Sequence, residues 1–196
     1  MSPIRLRQLV IGAALAAAAC GGSSSTASPT SPSTAAATLN IVLKDSPFTD
    51  AKALLVTFTT VSAHATGGDF LTLPFVSGAT SRTCDLKKLQ STQDVLGTGP
   101  LAAGHYTQIR LVVSSATLYF DNASTGSPCA STIATPSGRS AAVDVPSGDL
   151  RLNREFDVTS TGATTILLDF DGDQSVKQTG NGGYMMTPVV TVVSVQ

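Results

Sequence analysis

The chain has 196 residues, enough for one domain with a sizeable core. Charged residues make up 13% and aromatics 5%, with no Trp, which suits an all-β secreted domain better than a helical one. The net charge is −1, setting Arg5 and Arg7 aside leaves 10 basic against 13 acidic residues, and no basic run exceeds Lys87-Lys88, so a nucleic-acid partner is disfavoured.

The opening, MSPIRLRQLVIGAALAAAACGG, has three parts. Arg5 and Arg7 give a positive start. Leu9 to Ala19 is an apolar run of about eleven residues, short of the roughly 20 that a membrane-spanning helix needs. Small residues then lead to Cys20. The arrangement resembles a bacterial lipoprotein signal, with Ala17 at the position three before the cysteine where leucine is usual. The resemblance implies a signal peptide over residues 1–19, cleavage before Cys20 and a diacylglycerol on its thiol. An ordinary secretory signal cut near Ala19 is the alternative, and under either reading the body of the chain leaves the cytoplasm. Gly21 stands where an inner-membrane retention signal would place Asp. The resemblance therefore implies an outer-membrane lipoprotein facing the periplasm or the cell surface.

Residues 20–38 are rich in Ser, Thr, Pro, Gly and Ala, with no charge and no bulky apolar side chain. Such a segment cannot bury enough surface to offset its ordering entropy and reads as a flexible tether. From residue 39 to 196 short apolar runs alternate with Gly, Pro, Asp and Asn, as in a single β domain. In LNIVLKD, Leu39, Ile41 and Leu43 share a face. In ALLVTFTTVSAH, Leu54, Val56 and Phe58 share a face, and the phase then slips to Val61, which predicts a bulge near Thr59-Thr60. DFLTLPFV reads as a third strand, with Pro74 marking an edge or an end. TCDLKKLQST reads as a short strand and one helical turn.

Cys84 and Cys129 remain once Cys20 is assigned to lipid. A disulfide between them fits an oxidising compartment, and two free buried thiols are the alternative. No histidine or further cysteine lies near either with zinc-ligand spacing. In PLAAGHYTQIRL, Gly104 can take the angles of a tight turn, and Tyr106 opens a strand whose inward residues are Ile109, Leu111 and Val113. A Tyr at such a corner buries its ring and bonds its hydroxyl to nearby backbone, as in Greek-key sandwiches. A ligand contact is the other reading of Tyr106. SAAVDVP, REFDVTS, TTILLDFD and YMMTPVVTVVSVQ complete about eight or nine strands. The predicted fold is all-β: a two-layer antiparallel sandwich with Greek-key, immunoglobulin- or transthyretin-like topology. A membrane β-barrel is the rival, and short strands and scarce aromatics argue against it.

The succession LKDSP, VTFTTVSAH, CDLKKLQ, PLAAGHYTQIRL, VDVPSG, LLDFDGDQS and YMMTPVVTVV resembles the domain of unknown function 4382 family over about residues 39–195. The resemblance implies a β-sandwich and an extracytoplasmic, often lipidated location, and it implies no particular reaction. NASTGSPCASTIATPSGRS reads as an insert forming a surface loop tied by Cys129.

TTILLDFDGDQS carries three alternating aspartates, Asp169, Asp171 and Asp173. Strand alternation puts Ile166, Leu168 and Phe170 on one face and Asp169 and Asp171 on the other. Two neighbouring carboxylates need compensation, and Arg110, on the non-core face of its own strand, is the predicted ion-pair partner. Calcium is the alternative compensation. An EF-hand counted from Asp169 would need Gly at position 174 and Glu at 180, where Gln174 and Gly180 stand. An irregular calcium site could still combine Asp173 and Ser175 with Asp45.

No nucleophile elbow, zinc-protease or phosphate-loop motif occurs, and His64 and His105 read as polar surface. The expectation is a membrane-anchored, non-catalytic binding or scaffold module without a cofactor. It would contact an envelope protein or glycan through its loops. A calcium-stabilised adhesion or glycan-binding module and a hydrolase are the alternatives.

Overall fold

A computed structural model describes residues 36–46 and 51–196. The expected signal peptide, the expected lipidation at Cys20 and the stretch read as a tether, up to residue 35, lie outside the described residues. The first strand, β1, spans Ala36–Ser46, so the domain starts three residues earlier than its apolar pattern indicates.

The chain continues through β2 (Ala53–Ala65), β3 (Phe70–Leu73), β4 (Arg82–Asp85), the helical turn α1 (Leu86–Leu89), β5 (Asp94–Ala102) and β6 (Gly104–Tyr119). There follow β7 (Cys129–Ala130), β8 (Ser140–Asp144), β9 (Asp149–Val158), β10 (Ala163–Asp171) and the turn α2 (Gly172–Ser175). The last elements are β11 (Val176–Gln178), β12 (Tyr184–Met186) and β13 (Val190–Val195). One sheet has the order β13-β10-β1-β5. The other runs β11-β12-β8-β6-β2-β4-β7, with β3 also on β2 and β9 also on β6.

Apolar alternation sets which face of each strand is buried. Leu39, Ile41 and Leu43 from β1, Val56 and Phe58 from β2, Ile109 and Leu111 from β6, and Ile166, Leu168 and Phe170 from β10 are all fully buried between the sheets. At roughly 1.5–3 kcal/mol per large apolar side chain, this shared interior is the main stabilising term. The predicted bulge is present: Phe58 pairs Val113 and Thr60 pairs Val112, leaving Thr59 with no residue opposite. Pro74 follows the end of β3, an edge strand whose pairing is with β2.

Three sequence expectations are corrected. The sheets are mixed rather than antiparallel. β1 and β10 run parallel from Thr38 opposite Ala163 to Ser46 opposite Asp171, and β12 is parallel to β8. Long connections between these partners free them from the hairpin geometry that enforces antiparallel pairing. There are thirteen strands among the described residues, not eight or nine. Among the additions, β5 was hidden by Gly97, Gly99 and Pro100, which depress strand propensity. Those glycines serve close packing: a Cβ on Gly99 would lie 2.8 Å from Pro74 Cδ, and one on Gly97 would lie 3.4 Å from Val61. Finally, YMMTPVVTVVSVQ is not one strand. It breaks at Thr187–Val189, so that β12 joins one sheet and β13 the other. Pro188 has no N–H for a ladder, while the N–H groups of Thr187 and Val189 donate to Ser175, to its carbonyl and its Oγ.

The corner at Tyr106 forms as expected. Its ring is buried and stacks on Phe156 at 5.3 Å, and its hydroxyl donates to the Ala102 carbonyl at 2.9 Å. Gly104 has φ 159°, close to extended, so the reversal between β5 and β6 falls at Ala103. Cys84 and Cys129 are joined in a disulfide across β4 and β7, both buried. The insert is held further by Asp85, wholly buried, whose carboxylate accepts from Leu54 N, Lys87 N and Ser124 Oγ. One carboxylate thus ties β2, α1 and the insert together.

Candidate functional site

The three aspartates sit where β1 and β10 end side by side, and each has a different role. Asp169 stands opposite Lys44 in the parallel register, and its Oδ2 is 2.5 Å from Lys44 Nζ. Asp171 caps α2, accepting from Gln174 N at 2.9 Å and Gln174 Nε2 at 2.7 Å. Asp173 is exposed, and its backbone carbonyl accepts from Lys177 Nζ. Among the described residues no three His, Cys, Asp or Glu side chains converge as a metal cage requires. Ser175 is buried and spends its Oγ on Val189 N.

The buried member of this corner is Asp45, next to Lys44 and 5% exposed. Its Oδ1 accepts from Gly172 N at 3.1 Å and its Oδ2 from Gln90 Nε2 at 3.4 Å. Burial pushes its pKa from 3.8 to about 7, against the downward pull of the Gln90 and Gly172 hydrogen bonds. Asp45 therefore fastens β1 to α1 and to the start of α2, while carrying a carboxyl poised to titrate near neutrality.

Arg110 does not pair with Asp169 or Asp171. It lies on β6 in the other sheet, directly opposite Arg151 of β9. Its Nε donates to Asp149 Oδ1 at 2.7 Å, and Arg151 NH2 donates to Asp149 Oδ2 at 3.1 Å. Arg110 first, and Arg151 after it, hold the Asp149 carboxyl below the ordinary carboxylate range. The expected pairing failed because alternation tells which face of a strand Arg110 occupies, not which strand lies beside it. Arg110 also lies 5.6 Å from the centroid of the Phe70 ring.

A second region was not visible in the sequence. Of the strands, β9 pairs only with β6 and β13 only with β10, so each leaves one edge unpaired among the described residues. Along the seam between them lie two hollows of about 400 and 360 Å³ that share Arg151, Leu152 and Val190. Together they form an elongated groove. Leu150, Leu152, Val190 and Val192 supply its apolar lining, and Arg151 and Arg154 its cationic one. At about 3.3 Å per residue, Asp149 to Arg154 spans roughly 17 Å. The only sequence signal is the pair of arginines in RLNR; the fold adds Arg110 beside them.

His64 Nδ1 bonds Thr107 Oγ1 at 3.1 Å, and exposed His105 Nδ1 lies 2.8 Å from Asp157 Oδ1.

Fold and seam together define a two-sheet β-sandwich domain with an open groove along one side. The chain belongs to the family described as Domain of unknown function (DUF4382), whose model matches residues 36–188. No curated protein and no solved structure matches it.

Proposed function

We propose that this chain is a lipid-anchored, extracytoplasmic binding module without catalytic activity, and that it engages its partner along the seam between β9 and β13. The groove carries this reading. It joins apolar surface, two unpaired strand edges and concentrated arginine, the mixture expected of a contact surface rather than of a solvated face. Supporting it are the lipoprotein-like start at Cys20, the tether that follows, and the Cys84–Cys129 disulfide, which suits an oxidising compartment. The non-catalytic part rests on the histidines. His105 holds a carboxylate and no hydroxyl or thiol, and His64, beside the Thr107 hydroxyl, has no carboxylate orienting it among the described residues.

Two experiments test it. Cys20→Ala, or globomycin treatment, leaves an uncut precursor without lipid label; normal processing of the variant would remove the anchor from the proposal. A photo-crosslinking residue at Asn153 in living cells gives a discrete envelope adduct that the same probe at Asn122, on the insert, does not. Identical adducts from both positions, or none from either, would end the groove reading.

A further inference from the structure

Resting on that reading, we infer that the seam groove receives an extended, acidic segment of a partner polypeptide, which adds as a strand to the open edge of β13. Four observations converge on this occupant. The groove is elongated along β9 and β13, so it fits a linear chain, and no aromatic side chain lines it to offer a sugar ring a stacking face.

Its walls carry backbone as well as side chains. In an antiparallel ladder one neighbour uses only every second residue's N–H and C=O; the alternate set on β13 faces the open side. An incoming strand supplies the missing partners.

Open edges are normally guarded, and here the guards sit at the ends of the groove. On β13 the ladder skips Val193, since Ser194 pairs Leu167 and Val192 pairs Leu168. On β9 it skips Arg154 and Glu155, since Asn153 pairs Gln108 and Phe156 pairs Tyr106. These two bulges lie toward the same end of the seam, and Pro188 lies at the other. Between them the regular edge of β13 from Val190 to Val192 stays open.

The charge chooses the sequence of the guest. Beyond Arg7 the chain has five arginines, and three of them, Arg110, Arg151 and Arg154, gather around β9. Asp149 is the one acidic residue lining the groove, and Arg110 and Arg151 already hold it. Glu155 and Asp157 lie at and beyond the β9 bulge, with Asp157 on His105. Arg154 makes no hydrogen bond or ion pair among the described residues, which leaves its guanidinium fork for a carboxylate. A segment alternating β-branched and acidic residues places apolar side chains over Leu152 and Val192 and carboxylates toward the arginines.

The test uses the full chain in detergent and a fluorescent nonapeptide of alternating Val and Glu, read by anisotropy. Three comparison probes accompany it: the Val-Lys nonapeptide, a Val-Glu peptide N-methylated at alternate amides, and a galacturonate oligomer. Val-Glu should bind at least tenfold tighter than Val-Lys and than the N-methylated form. Arg151→Glu with Arg154→Glu, both exposed and so compatible with folding, should weaken it at least tenfold and reverse the Glu-over-Lys preference. Indifference to N-methylation overturns strand addition, and equal binding of Val-Lys overturns the acidic guest. Binding of the galacturonate oligomer alone overturns this inference while leaving the binding-module reading intact; absence of any envelope adduct at Asn153 removes that reading itself.

Discussion

Replacing Asp45 with Asn should separate the role of its hydrogen bonds from the effect of its charge. The folded protein holds the Asp45 proton up to about pH 7, whereas the unfolded chain releases it near 3.8. Between those values the native state binds more protons than the unfolded state, so stability falls as pH rises. The contribution is fully present below about pH 4 and lost above pH 7. A displacement of about three units, at 1.36 kcal/mol each, sets a ceiling of about 4 kcal/mol on the loss. Asn is nearly isosteric, keeps an oxygen for the Gly172 N–H, and meets Gln90 once that amide turns to present its oxygen. The variant should match the wild type within about 1 kcal/mol at pH 4.5 and exceed it by about 2–4 kcal/mol at pH 8. Urea unfolding of both proteins across this range measures the difference, in which contributions from other groups such as Asp149 cancel. A constant offset from pH 4.5 to 8 would refute the reasoning, because Asp45 would then be ionised throughout or equally solvated in both states.

Further outcomes follow from the same contacts. Gly148→Ala, just before β9, would place a Cβ 2.2 Å from the Val113 carbonyl oxygen. The backbone must shift, and a loss of about 2–3 kcal/mol in urea denaturation is expected. Replacing Cys84 and Cys129 together by Ala opens a link spanning 45 residues and should lower stability by about 4 kcal/mol on the chain-entropy model. Because both sulfurs are buried, the native disulfide should also resist dithiothreitol until the chain unfolds, as thiol trapping would report. Asp171→Ala removes the α2 cap and should cost about 1 kcal/mol. Millimolar calcium should leave the melting temperature of both forms unchanged, since Asp169 and Asp171 are engaged by Lys44 and Gln174; a shift in the wild type that Asp171→Ala abolishes would reinstate a calcium site.

What sequence reasoning reached was local. The burial of Leu39, Ile41 and Leu43, the break at Thr59, the turn after Asp85 and the corner at Tyr106 each depend on a few neighbouring residues. Period-two alternation is a property of one strand, so it survives without knowledge of the partner. The disulfide was legible as one of two states because the two cysteines left after Cys20 had only each other. Asp45 was visible only as a distant oxygen donor, since its burial depends on α1 and α2 closing over the end of β1.

By itself, then, the sequence determined that this chain makes strands, which side of each is apolar, and that its start resembles an export and lipidation signal. Only the tertiary structure decided that β1 runs parallel to β10, that Arg110 meets Asp149, that one C-terminal run is shared between two sheets, and that β9 and β13 leave a cationic seam. The reason is physical: hydrophobic periodicity orients a strand about its own axis, whereas its neighbours and register are chosen by the collective packing of residues far apart in the chain.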